Sequence, residues 1–277
     1  MSLSINNSGL YTTNQLRGSQ TDISLSLARL AAGRRITKAA DDAAGLNIAD
    51  NLNSEARGLG QAMRNANDTA AIIQVADGAL GQSADLIANI RVKALAAANA
   101  SQSAGSRQAL QADISKSLAQ IETISHTSYN GQQLLTGNFN KNFQIGNNPA
   151  DSLNINIASA APNKLGSPET GRLTDINVTT ASGAQAALSI TDEAQRQVNA
   201  SRANLGARQN QLTAAVKNMA ATEVNTMASE STIRDLDFAS ETMNLSQMNN
   251  LRKARIFAAV QGNVSQKNVI NLLQKQL

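Results

Sequence analysis

The sequence has no cysteine and no tryptophan, and among 277 residues only 3 prolines, 2 tyrosines, 4 phenylalanines and 1 histidine. Each shortage closes off a class of protein. Without cysteine there is no disulfide framework, thiolate metal site or thiol nucleophile. A lone His126 has no supporting set for a histidine zinc site or a serine–histidine–aspartate triad. It sits at a helix end beside Thr127, Ser128 and Tyr129 and reads as structural or solvated. No HExxH and no Gly-rich phosphate loop occurs, so neither catalysis nor a cofactor is expected. Aromatic rings carry much of the buried area of thick cores. At 2% aromatic residues, the apolar content left is Ala, Leu, Ile and Val, which suits thin helix-on-helix packing. No run of about 18 apolar residues is present, which argues against a membrane-spanning helix. The first residues, MSLSINNSGL, lack the basic and apolar regions of a cleavable signal, so any export is expected to use another route. A thin core with neither disulfides nor metal commonly draws its stability from oligomerisation. The lack of cysteine also suits a chain exported unfolded.

The formal charge is +4, from 24 basic and 20 acidic residues. The densest basic groups are Arg34-Arg35-Lys38 and Arg252-Lys253-Arg255, both in helical patterns with little aromatic interleaving. That is not a nucleic-acid surface.

What is present is helical periodicity at both ends. Leu16, Ile23, Leu27 and Leu30 follow the 7-4-3 spacing of an apolar seam within a helix expected from about Leu10 to Ala32, ending near Gly33. Leu236, Met243, Phe257 and Val264 share one heptad register within a last helix expected from about Phe238 to Leu273, with Asn250 the one polar member. Residues 1–9 are polar and are expected to order on a partner. Asp41 or Asp42 can cap a second helix beginning AAGLNIAD, because a carboxylate accepts the free N–H groups of a first turn. As neighbours on a helix they do not face each other, so they are not read as a catalytic pair.

That second helix is expected to reach about Asn99, a span of about 80 Å. Ile73, Leu80, Ile87 and Ala94 repeat at seven along it. A third helix near Ser106–Ser125 carries Leu110, Ile114, Leu118, Ile121 and Ile124 at helical spacing. From Gly183 to about Ser231, Val198, Leu205, Leu212 and Met219 form another heptad series, whose natural partner is the Ile73–Leu80–Ile87 seam placed antiparallel. Between these helices the period changes. Tyr129-Asn130-Gly131 is a turn signal. Phe139, Phe143 and Ile145, then Leu153, Ile155 and Ile157, alternate as one or two β-hairpins. Residues 158–172 are expected to be an exposed loop, followed by a short strand near Ile176–Thr180. The reading is a mainly α chain: long antiparallel coiled-coil helices from both ends, with a small β-hairpin region in the middle.

The segments SLSLARLAAGRRITKAADDAAGLNIAD, SRANLGARQNQL and TIRDLDFASETMNLSQMNNLRKARIFAAVQGNVSQKNVINLLQ resemble the terminal signatures of bacterial flagellins. The resemblance covers roughly residues 10–136 and 190–277. It implies an inner terminal-helix domain, D0, from 1–42 plus 235–277. It also implies a rod domain, D1, from 43–234, in which 138–188 is a short strand and loop region in place of outer domains. The function implied is an extracellular filament subunit that self-assembles into a helical homopolymer for motility. The apolar stripes Leu16–Leu30 and Leu236–Val264 would be buried by neighbouring subunits, at roughly 1.5–3 kcal/mol per side chain. The ends would be disordered until then.

Implied partners are a type III export apparatus, an export chaperone on the C-terminal helix, and cap and hook-junction proteins. Flagellins detected by the animal receptor TLR5 typically carry an Arg, a Leu and a Glu on the D1 helices. The positions aligned with them are Asn89, Lys93 and Gln120, so weak or no TLR5 recognition is implied. Exposed Ser and Thr in 158–182 are possible O-glycan acceptors, as in some flagellins. The competing readings are the hook–filament junction protein, which shares the terminal helices, and a coiled-coil binding rod that does not polymerise.

Overall fold

Nearly every long helix begins on a short polar side chain that satisfies its first turn. In the computed structural model, which describes residues 7–274 except for the side chains of 7–9, 263 and 265–274, α1 spans Asn7–Ala32 and α2 Ala43–Ala98. The expected partner-dependent ordering of the first residues lies, for 1–6, outside the described residues. Asp42 caps α2, its Oδ1 accepting from Gly45 N–H at 2.8 Å. Ser103 caps α3 (Ala104–Ser125), accepting from Ser106 N–H at 3.1 Å. Thr180 does the same for α4 (Ala181–Arg234) through Gly183 N–H at 3.1 Å. Asp237 caps α5 (Phe238–Gln274) through Ala239 and Ser240 N–H at 3.0 and 3.2 Å. Each such cap is worth about 1 kcal/mol. At the other end of α1, Gly33 takes φ +66°, and Arg34 N–H reaches back to Arg29 O at 3.3 Å. This is a Schellman stop, which a side chain at Gly33 would strain.

The chain folds as two compact units, Met1–Ser54 with Asn225–Leu277 (unit 1) and Glu55–Val224 (unit 2). The sequence pattern places the boundaries at the helix breaks near 42 and 235. The units divide instead inside α2 and α4, because compactness follows packing partners and helix continuity does not mark where these change.

In unit 2, the heptad residues of α2 and α4 form one core. Ile73, Leu80 and Ile87 are at most 1% exposed, and Val198, Leu205 and Leu212 at most 2%. The helices run antiparallel: Asp77 pairs with Arg202 at 2.9 Å, and Arg91, further along α2, with Asp192, earlier in α4, at 2.5 Å. These half-exposed ion pairs add little energy; the apolar seam carries the stability. The many alanines of α2 in this core, among them Ala62, Ala66, Ala76, Ala84 and Ala94, let the backbones approach closely. Helix α3 turns back along α2, held by Arg107 Nε donating to Ala97 O at 2.9 Å. It contributes Ile114 and Ile121, both fully buried.

Three short antiparallel hairpins follow. Strands β1 (Ser128–Tyr129) and β2 (Gln132–Gln133) are joined by Asn130-Gly131, with φ +50° and +74°. Both central residues are left-handed, as the two-residue hairpin turn requires. Strands β3 (Phe139–Gln144) and β4 (Ser152–Ile157) pair Phe139 with Ile157 and Phe143 with Leu153. Their inner face is thus apolar apart from Lys141, opposite Ile155, with Phe139 stacked on Phe143 at 6.4 Å.

Two sequence expectations are corrected here. Residues 158–172 are not simply an exposed loop: Ala160 and Leu165 are buried in the unit 2 core, and β5 (Gly166–Ser167) and β6 (Gly171–Arg172) form a third hairpin. No strand forms at Ile176–Thr180. Ile176 and Val178 alternate inward as expected, but their backbone pairs with a side chain. Gln111 Nε2 donates to Ile176 O at 3.1 Å and its Oε1 accepts from Val178 N–H at 2.8 Å. One carboxamide does the work of a neighbouring strand.

Because Ile87 is fully enclosed, Ile87→Ala is expected to lower the unfolding free energy of unit 2 by about 2–5 kcal/mol. Urea denaturation followed by circular dichroism checks this.

Candidate assembly surface

The centre of unit 1 is a pair of joints. Residues 33–36 lie against 233–236: the backbones of Arg34 and Asp235 form an isolated antiparallel β-bridge, Arg35 N–H donates to Arg234 O at 2.8 Å, and Leu236 N–H donates to Gly33 O at 3.2 Å. The Arg35 guanidinium caps Ile233 O at 2.7 Å, so this basic residue is occupied structurally. Ile36 is 1% exposed beneath the joints. Asp41 does not cap α2; it ties the first joint together. Its Oδ2 accepts from Thr37 N–H (3.0 Å), Thr37 hydroxyl (2.9 Å) and Lys38 N–H (3.0 Å), and its Oδ1 lies 3.5 Å from Arg29. The Thr37 backbone bond, the Thr37 hydroxyl, the Lys38 N–H and the Arg29 charge all favour the ionised form. They hold its pKa at about 2 against an ordinary 3.8.

From these joints α1 and α5 run antiparallel, and the face they share is mixed. Among the described residues of α1 only Ser19, Ile23 and Ser26 are buried, while Leu16 and Leu30 are half-buried. Among the described residues of α5, the half-buried ones are Glu241, Leu245, Met248, Asn249, Arg252, Arg255 and Ala259. Arg252 donates to Gln20 Oε1 at 2.9 Å, and Arg255 donates to Gln15 O at 3.3 Å and to the Ser19 hydroxyl. Ser26 Oγ and Arg252 Nε are enclosed with no hydrogen-bond partner among the described residues.

The structure thus separates the sequence-read seam residues. Ile23 faces the partner helix, and Leu236 sits half-buried at the joint. Leu27, Met243, Phe257 and Val264 are exposed, by 51, 68, 73 and 45%. The joint and the two arginines set the rotation of α5, turning the 243/257/264 register outward. Ile256 and Val260 lie beside it, also exposed, so α5 presents an apolar face from Ile256 to Val264. The inward set was visible in sequence as i, i+3, i+7 spacing from Leu245, but its two arginines disguised it.

In unit 2, Lys93 and Gln120 meet different neighbours. Lys93 lies 3.9 Å from Asp113 of α3. Gln120, two helical turns further along, lines a shallow groove with Leu86 and Ile124. The acid neighbour of Lys93 is therefore Asp113. His126 faces Glu122 at 3.5 Å. Among the described residues no cluster of His, Cys, Asp or Glu could hold a metal, and no helix is long and apolar enough to cross a membrane.

The chain matches the bacterial flagellin N-terminal helical region over residues 3–140 and the bacterial flagellin C-terminal helical region over residues 188–273. It is 32% identical over 286 residues to the flagellar filament 31.3 kDa core protein of Treponema maltophilum, covering 99% of this chain and 100% of that one. It is 33% identical over 304 residues to a flagellin of Bacillus subtilis, with the same coverage. The crystal structure of Bacillus cereus flagellin superposes with a TM-score of 0.50 at 20% identity, over 56% of this chain and 88% of that one, a likeness of fold.

Asp41 gives a testable pH dependence. Its folded pKa is depressed, so its contribution is present above 3.8 and lost as pH falls through about 2. In Asp41→Asn, protection of the Thr37 and Lys38 amides in exchange measurements is expected to drop at neutral pH. The gap to wild type closes between pH 3.8 and about 2.

Proposed function

The chain belongs to the bacterial flagellin family, and from that premise we infer how its parts act in the filament. It is a structural subunit of the flagellar filament, which is extracellular, and flagellins self-polymerise to build it. This is a structural protein family rather than an enzyme family.

Unit 2 serves as the preformed rod, D1, and the α1/α5 pair of unit 1 as D0, which orders on joining the filament. The observation that carries this reading is the exposed stripe Met243, Phe257, Val260 and Val264. An isolated amphipathic helix is marginal in water, and the pair encloses only one large apolar side chain from α1, Ile23. Its unpartnered Ser26 Oγ and Arg252 Nε cost roughly 1–3 kcal/mol each. Burial against neighbouring copies, through contacts that do not close on themselves, offsets these costs and generates a helical polymer. Before export, the same apolar face of α5 is the docking site of a cytosolic chaperone. The chain leaves unfolded through the flagellar type III route and is received by cap and hook-junction partners. The junction-protein and binding-rod readings are not favoured, given full-length similarity to filament proteins.

Seeded polymerisation with negative-stain imaging tests the mechanism. The full chain is expected to form filaments, and a version lacking 1–30 and 245–277 to stay monomeric. Phe257→Ser should raise the critical concentration about tenfold to hundredfold. Hydrogen exchange at 16–30 should be fast in the monomer and slow in the filament. A full chain that stays monomeric with those amides protected overturns the proposal.

Recognition by TLR5 is proposed to be weak. Asn89 offers an amide where the family places a bidentate arginine, and Lys93, paired with Asp113, stands in place of an apolar anchor. Gln120 offers an amide where the family places a carboxylate. A cell reporter responding strongly to purified monomer overturns this.

A further inference from the structure

Asparagine is disfavoured in strands, yet the outward face of the β3–β4 hairpin carries Asn140 and Asn142 opposite Asn156 and Asn154, all exposed. Asn154 Nδ2 donates to Asn140 Oδ1 at 2.8 Å and to Asn142 Oδ1 at 2.7 Å. Residues that break a local preference without a packing return mark functional positions. At one end of this face, a cleft of about 230 Å³ opens between the hairpin and α4, lined by Asn156, Ile157, Ala158, Ser201, Asn204 and Leu205. Its floor is apolar, with Ile157 and Leu205 at 1 and 2% exposure. Its rim is uncharged. The carboxamides of Asn156 and Asn204 make no hydrogen bond among the described residues, so each keeps two donors and one acceptor free. Ser201 donates to Gln197 O at 3.0 Å, leaving its oxygen able to accept.

We propose that this cleft binds a neutral, hydroxyl-rich sugar. A pyranose ring presents C–H faces to an apolar floor and hydroxyls, both donors and acceptors, to a rim of amides. The volume lies below the roughly 300–1,000 Å³ of drug-sized pockets and suits a single ring, with the asparagine face beyond it to receive the next. No cation lines the cleft to select phosphate, sulfate or nucleic acid, and no acid to select a metal ion. The site lies wholly within unit 2 and does not depend on the mechanism proposed for the terminal helices.

The test is ¹⁵N NMR of the full chain under monomeric conditions, titrated with maltose and N,N′-diacetylchitobiose, and with glucose 6-phosphate as the anionic control. Saturable shifts of the Asn156 and Asn204 side-chain amides are expected with a neutral sugar, with Kd on the order of 1 mM. Asn156→Ala and Asn204→Ala should each weaken binding about three- to tenfold, and Asn199→Ala, at another exposed site on α4, should leave it unchanged. Absence of a saturable shift, or equal shifts in the cleft variants, overturns the proposal. So does stronger binding of the phosphorylated sugar. Shifts of the same amides on raising protein concentration without sugar would assign the face to a second copy of the chain and overturn it as well.

Discussion

The antiparallel apolar seam between α2 and α4 is the constraint on which unit 2 rests. Ile73, Leu80 and Ile87 meet Val198, Leu205 and Leu212 in one buried cluster, and everything else in the unit is arranged around that line. Helix α3 closes one side with Ile114 and Ile121, and the hairpins add Phe139, Ile155 and Ile157 to the same cluster. A composition almost without aromatics can sustain this because a two- or three-helix core needs only one layer of aliphatic side chains. The alanines of α2 supply the close approach that large rings would prevent.

Unit 1 follows a different logic. Its joints are tightly specified, with Gly33, Arg35, Ile36 and Asp41 each making a defined contact. The helices leading away from them share a face with two arginines and buried serines while presenting Phe257 and Val264 outward. A monomer evolved for its own stability would invert that distribution. The pattern is the one expected under the proposed mechanism, in which a rod is finished on folding and the ends on assembly with other copies.

The long helices and heptads were legible because they are local: Asp42 announces a helix start, and the sevenfold repeats of Ile73 and Val198 announce a seam. Asn130-Gly131 likewise dictates its turn. What stayed hidden depends on distant partners. The rotation of α5 is set by contacts of Arg252 and Arg255 with α1 more than two hundred residues away. The pairing of Ile176–Val178 depends on a single glutamine side chain, which no periodicity reports. The β5–β6 hairpin rests on Gly166 and Gly171 at φ +113° and +99°, in a stretch whose prolines and polar residues suggested only a loop. Asp41 and Asp42, indistinguishable by sequence, separate because one carboxylate points back into the joint and the other forward into the helix.

That third hairpin has a further consequence. Ser167 and Gly171 are paired across its base, and Pro168, Glu169 and Thr170 at its tip are exposed. The ends of any segment spliced in there are already held together, so loop-closure entropy rises only slowly with its length. Leu165 and Leu173, buried on either side, anchor the graft to the core. The tip is therefore a natural socket for foreign sequence. An epitope, affinity tag or small folded module placed between residues 168 and 170 would be displayed on the outside of unit 2 without touching the seam that holds it.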